Sequence, residues 1–224
     1  MKKYAVVVAG GSGVRMNAAL PKQFHLLQGR PVLWYTLTAF LSAFADLEII
    51  LVLPEKYIAE GKKLIAAMID EQRVRIQAGG ETRFHSVRNG LQLVADPSVV
   101  FVHDGVRCLV TAALIQRCYS AAIENGNAIP ATVATDSMRL KTIDGSRVID
   151  RTSLYHIQTP QTFQSAQLLG AFRQPWQQHF TDEASVVEAS GIAINLVDGE
   201  RENIKLTTPL DLVIADCILR QRES

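Results

Sequence analysis

The feature that most constrains this chain is a glycine-rich turn set directly after a β-branched apolar run. Tyr4-Ala5-Val6-Val7-Val8 reads as a buried strand over residues 4–9. Ala9-Gly10-Gly11-Ser12-Gly13-Val14-Arg15-Met16 follows without a break. Glycines let the backbone turn tightly and leave room for a ligand against main-chain N–H groups. Pro21-Lys22-Gln23 comes next, so Arg15 and Lys22 stand beside that turn. Amides and two mobile cations suit a polyphosphate. The amides hold oxygens, and the cations neutralise charge that grows during phosphoryl or nucleotidyl transfer.

Three phosphate-loop readings compete for the stretch. The G-x-x-x-x-G-K-[ST] pattern is absent. The dinucleotide pattern G-x-G-x-x-G is met by Gly11 and Gly13 but has Met16 in place of its third glycine. A nucleoside-triphosphate loop of the sugar-nucleotide pyrophosphorylase type remains. The plain alternative is a tight turn with Arg15 and Lys22 as surface charges; Pro21, which fixes the backbone before Lys22, weighs against it.

Bulk properties exclude several classes. A net charge of +1 gives no electrostatic case for nucleic acid or a membrane surface. Met1-Lys2-Lys3 opens like a signal peptide, but glycines and then Arg15 interrupt the apolar run. No stretch is long and apolar enough to span a bilayer. Cys108, Cys118 and Cys217 form neither a disulfide framework nor a zinc pattern, so the expected location is cytoplasmic. The histidines show no metal-ligand spacing.

Further along, strands and helices alternate. Pro31 opens a helix to about Ala45, and strands are expected at 47–53, 74–77, 99–102 and 127–133. Helices are expected over about 55–71, from the Gly79-Gly80 turn through Val94, and over about 111–124. This alternation predicts an α/β fold: a Rossmann-like, mainly parallel sheet with helices on both faces. Ligands in such sheets sit at the carboxyl ends of strands. The glycine loop, the Gly79-Gly80 turn and Asp104 all lie at such ends and are expected to share one cleft.

The pattern changes at about Asp136. Two short extended runs joined by Ile143-Asp144-Gly145-Ser146 read as a polar hairpin, an arm at about 136–156 on a single domain of residues 1–224. So short an arm needs something to pack against. Beyond it, helices are expected over about 165–173, after a Thr181 cap, and over about 208–221. A strand is expected at 192–197 and an extended piece at 203–206.

Asp104, ending a buried strand beside a phosphate site, is a candidate Mg²⁺ ligand or a helix cap. Arg107 is placed to pair with it or to bind a second phosphate. His103 reads as structural. Arg151 and Lys205 do not stand out from surface charges by spacing alone. No serine sits in a nucleophile elbow.

Taken together, the glycine loop with Pro21-Lys22-Gln23, then Gly79-Gly80-Glu81-Thr82-Arg83 with Ser86-Val87, then Val102-His103-Asp104-Gly105-Val106-Arg107, resemble the 2-C-methyl-D-erythritol 4-phosphate cytidylyltransferase family. Asp150-Arg151, Thr159-Pro160-Gln161, Thr181-Asp182-Glu183-Ala184 and Asn203-Ile204-Lys205 extend the resemblance through nearly the whole chain. The related ribitol-5-phosphate cytidylyltransferases share the loop, the His-Asp segment and the Thr-Asp-Glu-Ala run. The Arg83 to Ser86-Val87 spacing and the Asp150-Arg151-Thr152 and Asn203-Ile204-Lys205 segments look more like the methylerythritol enzymes.

The resemblance implies transfer of CMP from CTP to a polyol phosphate, with Mg²⁺ as cofactor and release of pyrophosphate. Arg15 and Lys22, with Arg151 and Lys205, would be catalytic. Ala9, Gly10, Gly11, Gly80, Glu81, Arg83, Ser86, Asp104 and Gly105 would bind the nucleotide, with Gly80, Glu81 and Ser86 around the cytosine. Asp104 would hold the metal. Asp104, Arg107, Ser137, Arg151, Thr159 and Lys205 would bind the polyol phosphate, with Ser137 and Arg151 reaching it from a dimer partner through the arm. The family often has Ala-Ala-Gly at Ala9-Gly10-Gly11, Ala-Ala-Arg-Pro at Gly105-Val106-Arg107-Cys108, and Thr at Ser137. None of these departures removes a charge. A ribitol-5-phosphate enzyme and a non-catalytic nucleotide-binding regulator remain alternatives; a nicotinamide-dependent oxidoreductase is disfavoured by Met16.

Overall fold

The computed structural model describes residues 1–11, 21–68 and 70–223. Ser12, Gly13, Val14, Arg15 and Met16 therefore lie outside the described residues.

The chain begins with β1 (Lys2–Val8). A small hairpin, β2 (Leu26–Leu27) and β3 (Arg30–Pro31), turns at Gln28 and Gly29, both at positive φ. Then come α1 (Val32–Ala43), β4 (Leu47–Leu53), α2 (Ile58–Ala66), β5 (Val74–Ala78), α3 (Arg83–Leu91), β6 (Ser98–Asp104), α4 (Ala112–Asn125) and β7 (Asn127–Val133). The arm is β8 (Met138–Thr142) with β9 (Gly145–Ile149). The chain returns through β10 (Tyr155–Ile157), β11 (Gln161–Gln164), α5 (Ser165–Ala171), α6 (Glu183–Glu188), β12 (Leu196–Asp198) and α7 (Pro209–Glu223).

An eight-stranded sheet runs in the order β10-β7-β11-β6-β1-β4-β5, with β12 added on β7. The pairs β6–β1, β1–β4 and β4–β5 are parallel, as the strand–helix alternation predicts. Period-two alternation sends Ala5 and Val7 of β1 to one face and Tyr4, Val6 and Val8 to the other. The first face packs against Leu33, Leu37 and Phe40 of α1 and Leu114 of α4. The second packs against Phe84 and Val87 of α3, Leu168 of α5 and Val187 of α6. Both faces of β1 are thus covered, which is why its sequence is an unbroken apolar run.

The structure departs from the sequence expectations in several places. β11 lies antiparallel between β6 and β7 and brings Gln161 opposite Val102. The expected helix over 55–71 divides into a 3-10 turn at Glu55–Tyr57, α2, and a second 3-10 turn at Glu71–Arg73. Asp182, not Thr181, caps α6. Its carboxylate accepts from Ser185 N at 2.9 Å, while Ser185 Oγ accepts from Asp182 N at 3.3 Å. The strand expected at 192–197 forms only as β12, because Asn127 Oδ1 takes the Asn195 N–H at 2.8 Å. Residues 203–206 form no strand; Leu206 N instead donates to Val106 O at 3.0 Å. Among the described residues β8 and β9 pair only with each other, and the arm is exposed from Met138 to Val148. Its turn is Ile143-Asp144, tighter than expected, with Gly145 already in β9.

Gly90 of α3 shows how closely helix and sheet approach. A Cβ there would lie 2.7 Å from Val6 Cγ1 and 3.0 Å from Val52 Cγ2. Gly170, on the exposed side of α5, has nothing within 4 Å of such an atom. In urea unfolding, Gly90→Ala is expected to destabilise by about 1–3 kcal/mol through overpacking. Gly170→Ala is expected to stabilise by about 0.5–1 kcal/mol through helix propensity. Equal effects from the two would contradict this packing.

Candidate active site

The carboxyl ends of β1, β4, β5 and β6 open on one cleft of about 710 Å³. Its wall includes Ala9, Gly10, Gly11, Lys22, Gly80, Glu81, Arg83, Ser86, Asp104 and Lys205. Segments distant in sequence meet there as strand-end geometry requires. Gln23, fully buried, donates from Nε2 to Ala9 O at 2.7 Å and ties the Pro-Lys-Gln segment to the start of the glycine turn. Gly80 has no room for a side chain, since a Cβ would lie 2.5 Å from His85 Cβ. Gly80 N donates to Ser86 Oγ at 3.1 Å, which folds the Gly79-Gly80 turn over the first turn of α3.

Asp104 is the electrostatic centre. Arg83 Nε donates to its Oδ1 at 3.2 Å, Lys205 Nζ lies 2.8 Å from its Oδ2, and Arg107 Nε stands 3.8 Å from Oδ2. Burial would raise the Asp104 pKa; the charges of Arg83, Lys205 and Arg107 override it and hold the carboxyl well below the usual range. Burial likewise opposes the charge of Arg83, but Glu183 and Asp104 raise its pKa above the ordinary arginine value. Burial lowers the Arg107 pKa, against the pull of Asp104.

Beneath Asp104 runs a closed hydrogen-bond chain. Asp104 N donates to Thr159 Oγ1 at 3.2 Å. The Thr159 hydroxyl then donates to His103 Nδ1 at 3.0 Å, and His103 Nε2 donates to Arg107 O at 3.1 Å. Only the neutral Nε2–H tautomer satisfies every member. Burial pushes the His103 pKa down to about 3.

A second cleft of about 580 Å³ adjoins the first, and Lys205 and Thr207 line both. Among the described residues its lining holds the cations Arg107, Arg201 and Lys205, together with His156, and no carboxylate. That chemistry suits an anion. Arg107 is fixed there by donation from Nη1 to Asn203 O at 2.8 Å.

Two residues expected to contact ligands, Thr159 and Gly105, are not in the wall of either cleft. Thr159 is buried under Asp104, engaged in the chain above, and lines neither cleft. Gly105 packs below the first cleft, where a Cβ would lie 2.9 Å from Ala9 Cβ, and its carbonyl accepts from Thr36 Oγ1 at 3.0 Å. Ser137 and Arg151 are exposed near the base of the arm and line neither cleft of their own chain; Arg151 Nη1 donates to Thr135 O at 2.6 Å. Arg15 lies outside the described residues. Sequence reasoning missed Gln23, Arg201, Thr207 and the Arg83–Glu183 pair. The pair joins residues far apart in the chain, and no spacing rule reaches so far.

Among the described residues, no three His, Cys, Asp or Glu side chains cluster to hold a metal ion. Magnesium usually takes one or two carboxylates and completes its shell with phosphate oxygens and water. Asp104, a single carboxylate in the cleft wall near Lys22 and Lys205, fits that limited role.

Parallel strands ending in a glycine turn at one cleft, with a basic cleft adjoining it, make this an α/β protein of the nucleotidyltransferase type. Residues 4–221 match the family model described as 2-C-methyl-D-erythritol 4-phosphate cytidylyltransferase, and the chain belongs to that family. A relative of that name from Bacteroides thetaiotaomicron is 46% identical over 219 residues, covering 98% of this chain and 100% of the relative. Another from Porphyromonas gingivalis is 48% identical over 219 residues, covering 97% and 98%. The solved 4-diphosphocytidyl-2C-methyl-D-erythritol synthase from Anaerococcus prevotii superposes with TM-score 0.83 at 27% identity, covering 98% of each chain. The solved cytidylyltransferase from Thermus thermophilus gives 0.79 at 30% identity, covering 98% and 100%. Among the described residues, no helix is long and apolar enough to cross a membrane.

The neutral His103 makes a pH prediction. Below the ordinary histidine pKa of 6.5 the unfolded chain binds a proton that the native state refuses until about pH 3. Stability from this residue is therefore complete at neutral pH and is lost as pH falls through that window. Between pH 7 and pH 4.5 the unmodified protein is expected to lose about 2–3 kcal/mol more unfolding free energy than His103→Asn. Parallel pH curves for the two proteins would rule out a buried neutral His103.

Proposed function

We infer that this protein transfers the cytidylyl group of CTP to 2-C-methyl-D-erythritol 4-phosphate. The products are 4-diphosphocytidyl-2-C-methyl-D-erythritol and pyrophosphate, in isoprenoid precursor synthesis. Family membership supports the reaction. The observation that carries it is the pair of adjoining clefts joined by Lys205 and Thr207, one with a glycine turn and the other with Arg107, Arg201 and Lys205 in its wall. A nucleoside triphosphate suits the first and a polyol phosphate the second.

A phosphate monoester is already ionised at neutral pH, so its oxygen attacks the α-phosphorus of CTP without a strong general base. The bond to the pyrophosphate bridging oxygen breaks as the new P–O bond forms. Catalysis then consists of positioning and charge stabilisation. Lys22 and Arg15 flank the nucleotide phosphates in this reading. Lys205, half-exposed at the junction of the clefts, neutralises charge at the reacting phosphates. Arg107 and Arg201 hold the acceptor phosphate from the other side. Glu81, Gly80 and Ser86 receive the cytosine. A magnesium ion held by Asp104 and the triphosphate would supply further charge neutralisation at the phosphates.

The exposed arm supports a homodimer. It leaves Leu140, Ile143 and Val148 in solvent, and a lone two-stranded hairpin is not stable in water. In this reading Arg151 and Ser137 serve the partner's second cleft.

Pyrophosphate release with CTP and Mg²⁺ tests the reading. Release is expected with methylerythritol 4-phosphate and not with ribitol 5-phosphate; release only with ribitol phosphate would change the acceptor, and release with neither would favour a regulator. Arg151→Ala is expected to raise KM for the polyol phosphate about 10-fold or more, with KM for CTP little changed. Lys205→Ala is expected to lower kcat/KM about 100-fold. Refolding these two variants together should restore roughly a quarter of the unmodified activity, since half the two-fold dimers would carry one intact site. No restoration would place Arg151 in its own chain's site.

A further inference from the structure

Glu183 is a buried carboxylate with no part in the reaction described above. It is 1% exposed, opens α6, and lines neither cleft. Its two oxygens receive the fork of Arg83: Nη1 donates to Oε1, and Nη2 donates to Oε2 at 3.0 Å. The third edge of the same guanidinium, Nε, donates to Asp104 Oδ1 at 3.2 Å. The planar guanidinium is thereby held on three sides. One oxygen of Asp104 is committed to Arg83, and the other, Oδ2, faces Lys205 at 2.8 Å.

The helix that carries Glu183 is itself fixed to the sheet. Gln161 of β11, fully buried, accepts from Ala184 N at 2.8 Å and donates to Asp182 Oδ2 at 2.8 Å. α6 therefore cannot drift, and Glu183 presents a fixed template to Arg83. Burial raises the Glu183 pKa, and the Arg83 charge opposes that rise. Burying both charges costs several kcal/mol per ion, and the two-oxygen, two-donor geometry is what offsets it.

We propose that Glu183 is a positioning residue for cytidylyl transfer: by clamping Arg83 it sets the plane of the Asp104 carboxylate and so decides which oxygen is presented to Lys205 and the cleft. The inference rests on the proposed reaction. Without Glu183, both Arg83 Nη groups lose their acceptors, and Asp104, already bound to Arg83 Nε, is placed to take the fork. Asp104 would then turn away from Lys205, and Lys205 would lose its anchor at the junction of the clefts.

Glu183→Gln keeps the volume but offers only one oxygen to two donors. In steady-state pyrophosphate release it is expected to lower kcat about 10- to 100-fold, with KM for CTP and for the polyol phosphate each changed less than about 3-fold. Circular dichroism and the unfolding midpoint are read alongside. A kcat within about 2-fold of the unmodified protein, with the fold intact, would overturn the proposal. Arg83→Met and Arg83→Met/Glu183→Met supply the second comparison, because replacing both members of a buried ion pair by apolar groups is tolerated better than removing one. If Glu183 acts through Arg83, the two must share the same kcat. A further loss in the double variant would overturn the proposal whether or not Glu183→Gln folds. Absence of release by the unmodified protein would instead overturn the reaction itself, and it is read before any variant.

Discussion

The burial of the Asp104 carboxylate at the end of a central strand is the constraint on which the site depends. Taking one carboxylate out of water costs several kcal/mol, and a single partner seldom repays it. Here Arg83, Lys205 and Arg107 surround it, while Glu183 occupies the far side of Arg83. Three cations face two carboxylates, which leaves one positive charge over at the edge of both clefts. Such a cluster is stable without ligand yet still attracts a polyanion. Lys205 is its loosest member, with a side chain 42% exposed against 28% for Arg83 and 13% for Arg107, so it can shift with the least loss.

Sheet topology makes that cluster possible. A purely parallel sheet would bring helix N-termini and loops to the strand ends. β11 instead enters antiparallel beside β6, and the chain reaches it through Thr159, directly under Asp104. Thr159 and His103 thus satisfy the backbone beneath the carboxylate, and no water is needed in the core at that point. The same chain fixes the Arg107 carbonyl, so the turn after β6 is held from below by hydrogen bonds and from above by charge. Burial of a neutral histidine is the cost of that support at low pH.

The fold was legible wherever one face or both faces of an element are buried. Runs such as Tyr4 to Val8 and Leu47 to Leu53 are apolar because both sheet faces are covered, and the structure places strands there. Legibility fails where side chains substitute for backbone pairing. Asn127 takes the place of a ladder partner for Asn195, and the expected strand at 192–197 shortens to β12. At the site, the glycines and Asp104 were readable because their residue types and positions at strand ends carry meaning, whereas Lys205 stood out only through the family resemblance. Thr159 and Gly105 matched a motif, and the structure adds what no motif carries, their hydrogen bonds and packing beneath the cleft wall. Glu183 was read as part of a helix start and of a family motif; its pairing with Arg83 exists only in three dimensions.

Position in the fold also separates the two kinds of arginine in this protein. Arg83 and Arg107 are fixed by carboxylates and carbonyls, and each loses little freedom when a ligand arrives. Arg201 is exposed in the second cleft, and Arg151, also exposed, donates to Thr135 O at the base of the arm. Ordering either on an incoming phosphate costs side-chain entropy that the fixed pair has already lost on folding. A bound partner arm would remove part of that cost by confining Arg151 before the substrate arrives. Dimerisation would then raise affinity for the acceptor without adding any contact to the nucleotide, so assembly and acceptor recognition would be coupled while CTP binding stays a property of each chain.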